Sequence, residues 1–446
     1  MVFSKITKNI WQKLSKSWDK QTHEGVIFSN MIKLVTGDSI ARVIGLATAP
    51  IITRLYLPEH MGVLSVFTSL VALLIPFGTF RYSLAIPLPK SDSSALNISV
   101  LSFILLTIST LFLFFIFIFF GNEILVFFSM EQVTHYWWLV PITFAGTGLY
   151  DLLSGWAIRK KEFKPLAKTK VWQKIIGDVV KVLFGLIDIR PLGLLIGYIL
   201  NQAGGILSLF KNFKIFFTDN VRCISRKRII YFSKRYSDFP KYRIPSQFLL
   251  NLTAKAPLLY FAWHFGADTT GQIGLATMML SLPISLIGYT TGKAYYAEIA
   301  TIGKRMPEKI YKVTRNVSRK LFLFSIIPFS IILFFGPFIF KIVFGPKWND
   351  AGVFASILSP YLLAQFIYGP ISEGILSVFE KQSKVLVIEI SRTIITFLVF
   401  LISFILKSKP IYTLLLYSIG LTLHYIFATI IVFLVIRRSK INNYII

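Results

Sequence analysis

Six basic side chains stand inside long apolar runs: Arg42, Arg81, Lys174, Lys181, Lys255 and Lys293. Five carboxylates, Asp38, Asp151, Asp178, Glu373 and Glu389, have similar surroundings. A charge in such a run is costly unless a counter-ion, a hydrated cavity or a short path to water offsets it. The chemistry these residues offer is recognition of a charged molecule. Bond-making chemistry has little support. The five histidines (His23, His60, His135, His264, His424) show no ligand spacing, and the single Cys223 excludes disulfides and multi-cysteine metal sites. "GYTTGKA", Gly288 to Ala294, is one spacer residue short of a phosphate-binding loop, and its glycines suit helix packing or a kink.

Local spacing sorts some of these charges. Glu389 has Arg392 one turn away and Asp178 lies between Lys174 and Lys181, which is the spacing of ion pairs along a helix. Lys293 falls near the end of its run and either snorkels to headgroups or faces a cavity. Arg42 and Lys255 fall near mid-membrane, where a hydrated cationic cavity is preferred over a buried ion pair. The candidate cavity cations are thus Arg42, Arg81, Lys255, Lys174 and Lys293, and the candidates for ion coupling are Asp38, Asp178 and Glu373. A cationic cavity takes an anionic passenger.

These residues need membrane helices to hold them. Of 446 residues 54% are hydrophobic, with a mean hydropathy of +0.66, and apolar runs of spanning length follow one another almost end to end. The expected fold is an all-α integral membrane protein of about twelve transmembrane helices in two six-helix lobes around a central cavity. The spans run from 30–56, with Arg42, through 62–88, with Arg81, to 410–436. Thirty-five lysines and arginines fall on one side of this map, counting the N-terminal stretch through Lys33, and five on the other. That asymmetry places both termini in the cytoplasm. It also accounts for the net charge of +28 as a topology signal, so no nucleic acid is expected as partner. Residues 1–29 read as an amphipathic cytoplasmic segment on anionic membrane lipids, with Ile6, Ile10, Leu14 and Trp18 on one side and lysines elsewhere; a disordered basic tail is the plainer alternative.

The chain also repeats itself. Ala49-Pro50 is followed by Gly62 and Pro76, and Ala256-Pro257 by Gly271 and Pro283. Both proline intervals are 26 residues, at an offset of 207. Two lobes of the same orientation follow, as in parallel-repeat transporters. The N-terminal six-helix lobe is expected at 30–211, a basic cytoplasmic inter-lobe linker at 212–243, the C-terminal lobe at 244–436 and a basic tail at 437–446.

Four stretches carry a family resemblance: "APIITRLYLPEHMGVLSVFTSLVALL", "RYSLAIPLPKSDSSALN", "DFPKYRIPSQFLLNLTAKAPLLYFAWHFGADTTGQIGLATMMLSLPISLIG" and "FGPKWNDAGVFASILSP". Taken in order they resemble the polysaccharide-transporter family. Its members are bacterial flippases of lipid-linked oligosaccharides, including O-antigen (Wzx-type) translocases, in the superfamily of multidrug extruders. The resemblance implies a V-shaped cavity, alternating access, and undecaprenyl-diphosphate-linked oligosaccharide as passenger. It also implies the bacterial inner membrane, a polysaccharide polymerase and chain-length proteins as partners, and no enzymatic step. Family members often carry an acid two residues after the arginine of "RY", where this chain has Ser83, leaving Arg81 freer to meet phosphate. No cofactor is expected; a proton or sodium gradient or the membrane potential would supply the energy. The alternatives are a multidrug or cation extruder of the same fold, which would favour acidic cavity residues, and a membrane-bound polymerase or ligase, which would need larger outer loops.

Overall fold

Inside a bilayer every backbone amide must find its partner within the protein, and a helix achieves this along its own length. The computed structural model describes residues 23–443, which are helical with short connections and no strand among them. Of the amphipathic segment expected at 1–29, Ile6, Ile10, Leu14 and Trp18 lie outside the described residues, as do residues 444–446 of the tail.

The first lobe contains α1 (His23–Leu55), α2 (Pro58–Leu74), α3 (Asp92–Phe127), α4 (Leu139–Arg159), α5 (Phe163–Leu186), α6 (Leu192–Ala203) and α7 (Ile206–Asp219). The short α8 (Arg226–Arg235) follows in the basic segment between the lobes. The second lobe contains α9 (Ile244–Pro283), α10 (Tyr289–Ile302), α11 (Pro307–Phe344), α12 (Asn349–Val378), α13 (Gln382–Ile405) and α14 (Pro410–Asn443). Eight helical stretches are long and apolar enough to cross a membrane on those grounds alone. One of them, Phe239–Ile302, is 64 residues long and turns at Gly266, whose φ of +85° favours a residue without a side chain, so it supplies two crossings. With α1, α4 and α5, whose buried faces carry polar groups, the crossings number twelve.

Helix pairing repeats between the lobes. In the first lobe α1 packs on α5, α5 on α6, and α3 on α4. In the second, the first half of α9 packs on α13, α13 on α14, and α11 on α12, in the same order of crossings. Large exposed side chains such as Phe112, Phe115 and Phe119 on α3 and Ile327, Phe334 and Phe338 on α11 face the lipid.

The lobes touch mainly along α2 and α9. A Cβ on Gly271 would strike the carbonyl of Pro58 and come within 2.8 Å of the Gly62 amide nitrogen; one on Gly62 would strike the carbonyl of Ala267. The two glycines that follow the repeated Ala-Pro pairs are therefore the places where the lobes come closest. Nearby, Ser129 Oγ donates to the Ala262 carbonyl at 2.8 Å.

The structure corrects the second crossing. The sequence reads as one span over 62–88, but the α-helix ends at Leu74 and a 3₁₀ turn at Ile75–Phe77 closes it. The stretch 78–91 then runs as irregular turns, with Phe80 and Arg81 at φ +48° and +61°. Prolines at 76, 87 and 89 deny it helical amides. Arg159 supplies what the helix does not: its guanidinium donates to the carbonyls of Ile86 (3.3 Å), Pro89 (2.6 Å) and Lys90 (3.3 Å) and to Asp92 Oδ1 (2.9 Å). Arg81 thus lies beyond the end of the second crossing, not within it.

The basic segment 212–243 is folded against the first lobe. Asn97 donates to the Cys223 carbonyl at 3.0 Å and accepts from the Ser225 amide at 2.9 Å, while Tyr82 Oη donates to the Ser233 carbonyl at 2.7 Å.

Candidate substrate cavity

Where α2 and α9 hold the lobes together, α1 and α10 leave a cleft. It has a volume of about 440 Å³ and is walled by Asp38 and Arg42 of α1, Lys170 of α5, and Tyr289, Thr290 and Lys293 of α10. A second space of about 760 Å³ shares Ser285, Tyr289 and Lys293 with it and continues between α10 and α12 to Glu373. Together they form one inter-lobe cavity at the basic end of the bundle, with Lys293 common to both parts. A proline and a π-helical turn, Pro283 and Ile284–Gly288, redirect the chain between α9 and α10 and carry Tyr289 and Lys293 to this wall. Irregular or widened helix is tolerated at membrane depth where it lines a cavity.

Arg42 meets Asp38 one turn away, Nε to Oδ2 at 2.8 Å, but the side chains remain 41% and 50% exposed. Neither arrangement weighed from sequence occurs alone: the ion pair forms, and it forms facing the cavity. In such hydrated surroundings the pair binds weakly, and its guanidinium keeps donors free for a ligand. The Lys293 ammonium lies 4.5 Å from the centre of the Tyr289 ring and is exposed. Lys170 stands 4.8 Å from the Tyr150 ring. Three cations from the two lobes thus converge against two carboxylates, Asp38 and Glu373.

The other expected residues have different surroundings. Lys174 and Lys181 both hold Asp178, at 2.9 and 3.1 Å, and Thr48 donates to the same carboxylate at 2.6 Å. This network ties α1 to α5 inside the first lobe. Gly45 makes room for it, since a Cβ there would press on the Lys174 ammonium. Arg81 has Asp151 of α4 and Arg243 before α9 as its charged neighbours, and Asp151 also feels Lys170. Burial lowers the Arg81 pKa, with Asp151 opposing the shift, and a guanidinium stays charged throughout. Ser83 is buried and hydrogen-bonds Thr79 at 3.0 Å, so it does not answer Arg81. Lys255 is half-buried in α9 and has no ion-pair or hydrogen-bond partner among the described residues. It lies one turn beyond Asn251, which donates to the Ala72 carbonyl of α2 at 2.5 Å, so it projects on the side of α9 that meets the first lobe.

Lys170 and Tyr289 were not picked out from sequence. Lys170 belongs to a run of six basic residues at 159–170 that overlaps the start of the span expected at 167–187, and α5 begins earlier, at Phe163, which places Lys170 two turns into a helix. The available signal was spacing: Lys170, Lys174 and Lys181 share one helical face with Asp178. Among the described residues no group of three or more His, Cys, Asp or Glu could hold a metal ion.

The family model described as "Polysaccharide biosynthesis protein" matches residues 51–352. A search of curated proteins finds no significant match. Among solved structures, the chain is similar to a lipid II flippase MurJ in an inward closed conformation, at 15% identity and a TM-score of 0.66, over 93% of this chain and 92% of the other. It is also similar to a multidrug resistance MATE family transporter of the MOP superfamily in an inward-facing conformation, at 17% identity and a TM-score of 0.53, over 92% of this chain and 94% of that one. At these identities the likeness is one of fold.

Proposed function

The chain belongs to the polysaccharide biosynthesis protein family, and from that premise we propose that it is a flippase. Its passenger would be an undecaprenyl-diphosphate-linked oligosaccharide, an O-antigen or similar repeat unit, moved from the cytoplasmic to the outer leaflet of the bacterial inner membrane. The observation that carries this reading is the cavity where Arg42 and Lys170 of one lobe meet Lys293 of the other, closed beyond by the Gly62–Gly271 contact.

A diphosphate cannot cross hydrocarbon with its charges unpaired, whereas a polyprenyl chain can remain in lipid. A cleft between α1 and α10 lets the headgroup enter sideways while the tail stays outside. Arg42 then offers a planar fork of donors to phosphate oxygens, and Lys170 and Lys293 supply point charges. Rocking of the lobes would open the α2–α9 seam and close the basic end, exposing the headgroup to the other side. No bond is made or broken.

The charge asymmetry supports an orientation with both termini and the basic end in the cytoplasm. With the interior negative, outward movement of an anion gains about 2.3 kcal/mol per charge per 100 mV, so the membrane potential can contribute to drive. Asp38, beside Arg42, and Glu373, in the same cavity as Lys293, are the carboxylates where an accompanying proton or sodium ion would act on the passenger site; Asp178, held by two lysines, is the third candidate. A polymerase and chain-length proteins would consume the product at the outer leaflet.

The test is deletion followed by leaflet-resolved analysis of lipid-linked repeat units. The expected result is that repeat units are made but remain in the cytoplasmic leaflet, and that re-expression restores surface glycan. Unchanged surface glycan in a strain with no second flippase would reject the reading.

A further inference from the structure

Away from the inter-lobe cavity, a second basic recess lies at the same end of the molecule, between α13 and α14. It encloses about 500 Å³. Lys381, Ser383 and Lys384, at the start of α13, form one wall, and Arg438 and Ser439, near the end of α14, form the other. Its floor is apolar, with Val387 and Ile388 opposite Ile431 and Val435. None of its three cations forms a close ion pair among the described residues, although Lys381 acts electrostatically on the neighbouring Glu380. The adjacent carboxylate, Glu380, is instead engaged by Lys304 at 2.9 Å.

A basic-inside topology requires cations somewhere at this end, but it does not require them to converge on a recess. Three further features point to a ligand of defined shape. The first turn of α13 opens at the recess, where the helix dipole favours negative charge, although the Lys384 amide already bonds the Lys381 carbonyl. Lys384 is half-buried where it lines the recess, whereas Lys381 beside it is exposed. The apolar floor continues into side chains that face lipid: Leu386, Val387, Ile390 and Ile394 on α13, and Phe427, Ile430 and Leu434 on α14. A soluble anion would use the cations and leave that apolar track unused.

We propose that this recess binds the phosphodiester headgroup of an anionic phospholipid, with the acyl chains lying along the groove between α13 and α14. The pairing of a cationic mouth with an apolar track is what a lipid anion presents in reverse. Because α13 and α14 belong to the second lobe alone, the site is separate from the inter-lobe cleft. It does not depend on the transport reading.

The test uses the full-length protein reconstituted in mixed phosphatidylglycerol and phosphatidylcholine, extracted in mild detergent and examined for co-purifying lipid and thermal unfolding. The wild type is expected to retain phosphatidylglycerol selectively and to be stabilised by adding it, but not by phosphatidylcholine or by inorganic phosphate at equal concentration. The double substitution Lys384→Gln, Arg438→Gln should lower phosphatidylglycerol retention by about thirtyfold. Lys211→Gln with Lys214→Gln, equal in charge but elsewhere at this end, should leave it unchanged. Should the double variant fail to accumulate, Val387→Trp, which fills the recess and removes no charge, should give the same loss. Undiminished retention in the variants, an equal loss in the control pair, or equal stabilisation by inorganic phosphate would each overturn the proposal.

Discussion

The indole Nε1 of Trp348 donates to the backbone carbonyl of Thr53 at 2.8 Å, joining the second lobe to the first. Thr53 lies in the last turn of α1, where a helix leaves carbonyls without intrahelical partners. The Leu57 amide, which would otherwise serve it, bonds His60 Nδ1 at 3.2 Å instead, and residue 58 is proline. The cap for α1 therefore comes from the opposite lobe, through a side chain that is fully buried. Beside it, Gln272 donates to the Lys347 carbonyl and accepts from the Ala351 amide, each at 2.9 Å, which fixes the turn that carries the tryptophan.

Trp348→Phe should therefore loosen the closed end. It keeps most of the packing, removes the donor and leaves the Thr53 carbonyl buried without a partner, at about 1–3 kcal/mol. That is roughly a five- to hundredfold shift toward the state in which the seam is open. Thiol labelling of a Ser65→Cys reporter on α2, which faces Gly274 across the seam, should speed up from the outer side. Unchanged labelling would mean that the hydrogen bond does not hold the seam.

Gly271→Val tests the same seam by steric means. The added side chain would meet the Pro58 carbonyl, and backbone yields less readily than a flexible side chain. The closed end should fail to close, with surface glycan lost and protein abundance near normal, because the open arrangement accommodates the side chain. Normal export would show that α2 and α9 need not approach this closely in the working cycle.

Much of this arrangement was legible before the structure. Spanning helices announce themselves by apolar length, and the Ala-Pro repeat gives two lobes of one orientation; that its glycines, Gly62 and Gly271, meet at the seam is visible only in the structure. The end of the second crossing was not legible. "FGTFRYSLAIPLPK" is apolar enough to extend the span, because hydropathy measures transfer and not chain direction. What turns the chain is a distant residue, Arg159, bonding the carbonyls of Ile86, Pro89 and Lys90. The cavity was legible only in part. Arg42 and Lys293 stand out by their charge in apolar surroundings, whereas Lys170 falls where a basic run overlaps the start of the fifth span and reads as one of the flanking charges.

Lys170 now gives a direct expectation. Lys170→Ala should reduce export at least tenfold while leaving membrane abundance within about twofold, since among the described residues it forms no close ion pair, Asp151 keeps Arg81 as a second charged neighbour, and the Tyr150 contact contributes little. Lys168→Ala, changed identically and absent from the cavity wall, is the control. Equal export in the two would remove Lys170 from the passenger path.

Orientation can be read from thiols. Asn122 lies exposed near the end of α3 opposite the basic segment, and Cys223 lies within that segment. In intact cells Asn122→Cys should react with an impermeant thiol reagent and Cys223 should not. Labelling of Cys223 from outside would invert the membrane orientation and, with it, the direction of transport.

The last expectation separates two kinds of charge that look alike in sequence. Arg42 and Asp38 are both about half exposed to the cavity, so removing Arg42 leaves a carboxylate that water can solvate. Arg42→Ala should accordingly accumulate normally and lose most export, and Arg42→Lys should fall between, because an ammonium cannot reproduce the two-donor fork. Asp178 is different: its side chain is 2% exposed, and it lies within 3.1 Å of two ammonium groups. Asp178→Asn leaves Lys174 and Lys181 facing each other without a counter-charge, at a cost of about 3–5 kcal/mol. That is a large part of the stability of a typical domain, so the protein should be depleted from the membrane and not merely inactive. Lys174→Met combined with Asp178→Asn should restore abundance in part, since the double change removes one ammonium with the carboxylate. Immunoblots of membrane fractions beside surface-glycan assays read both effects. Normal abundance of Asp178→Asn with export lost would move Asp178 from the frame of the first lobe to the transport or coupling machinery.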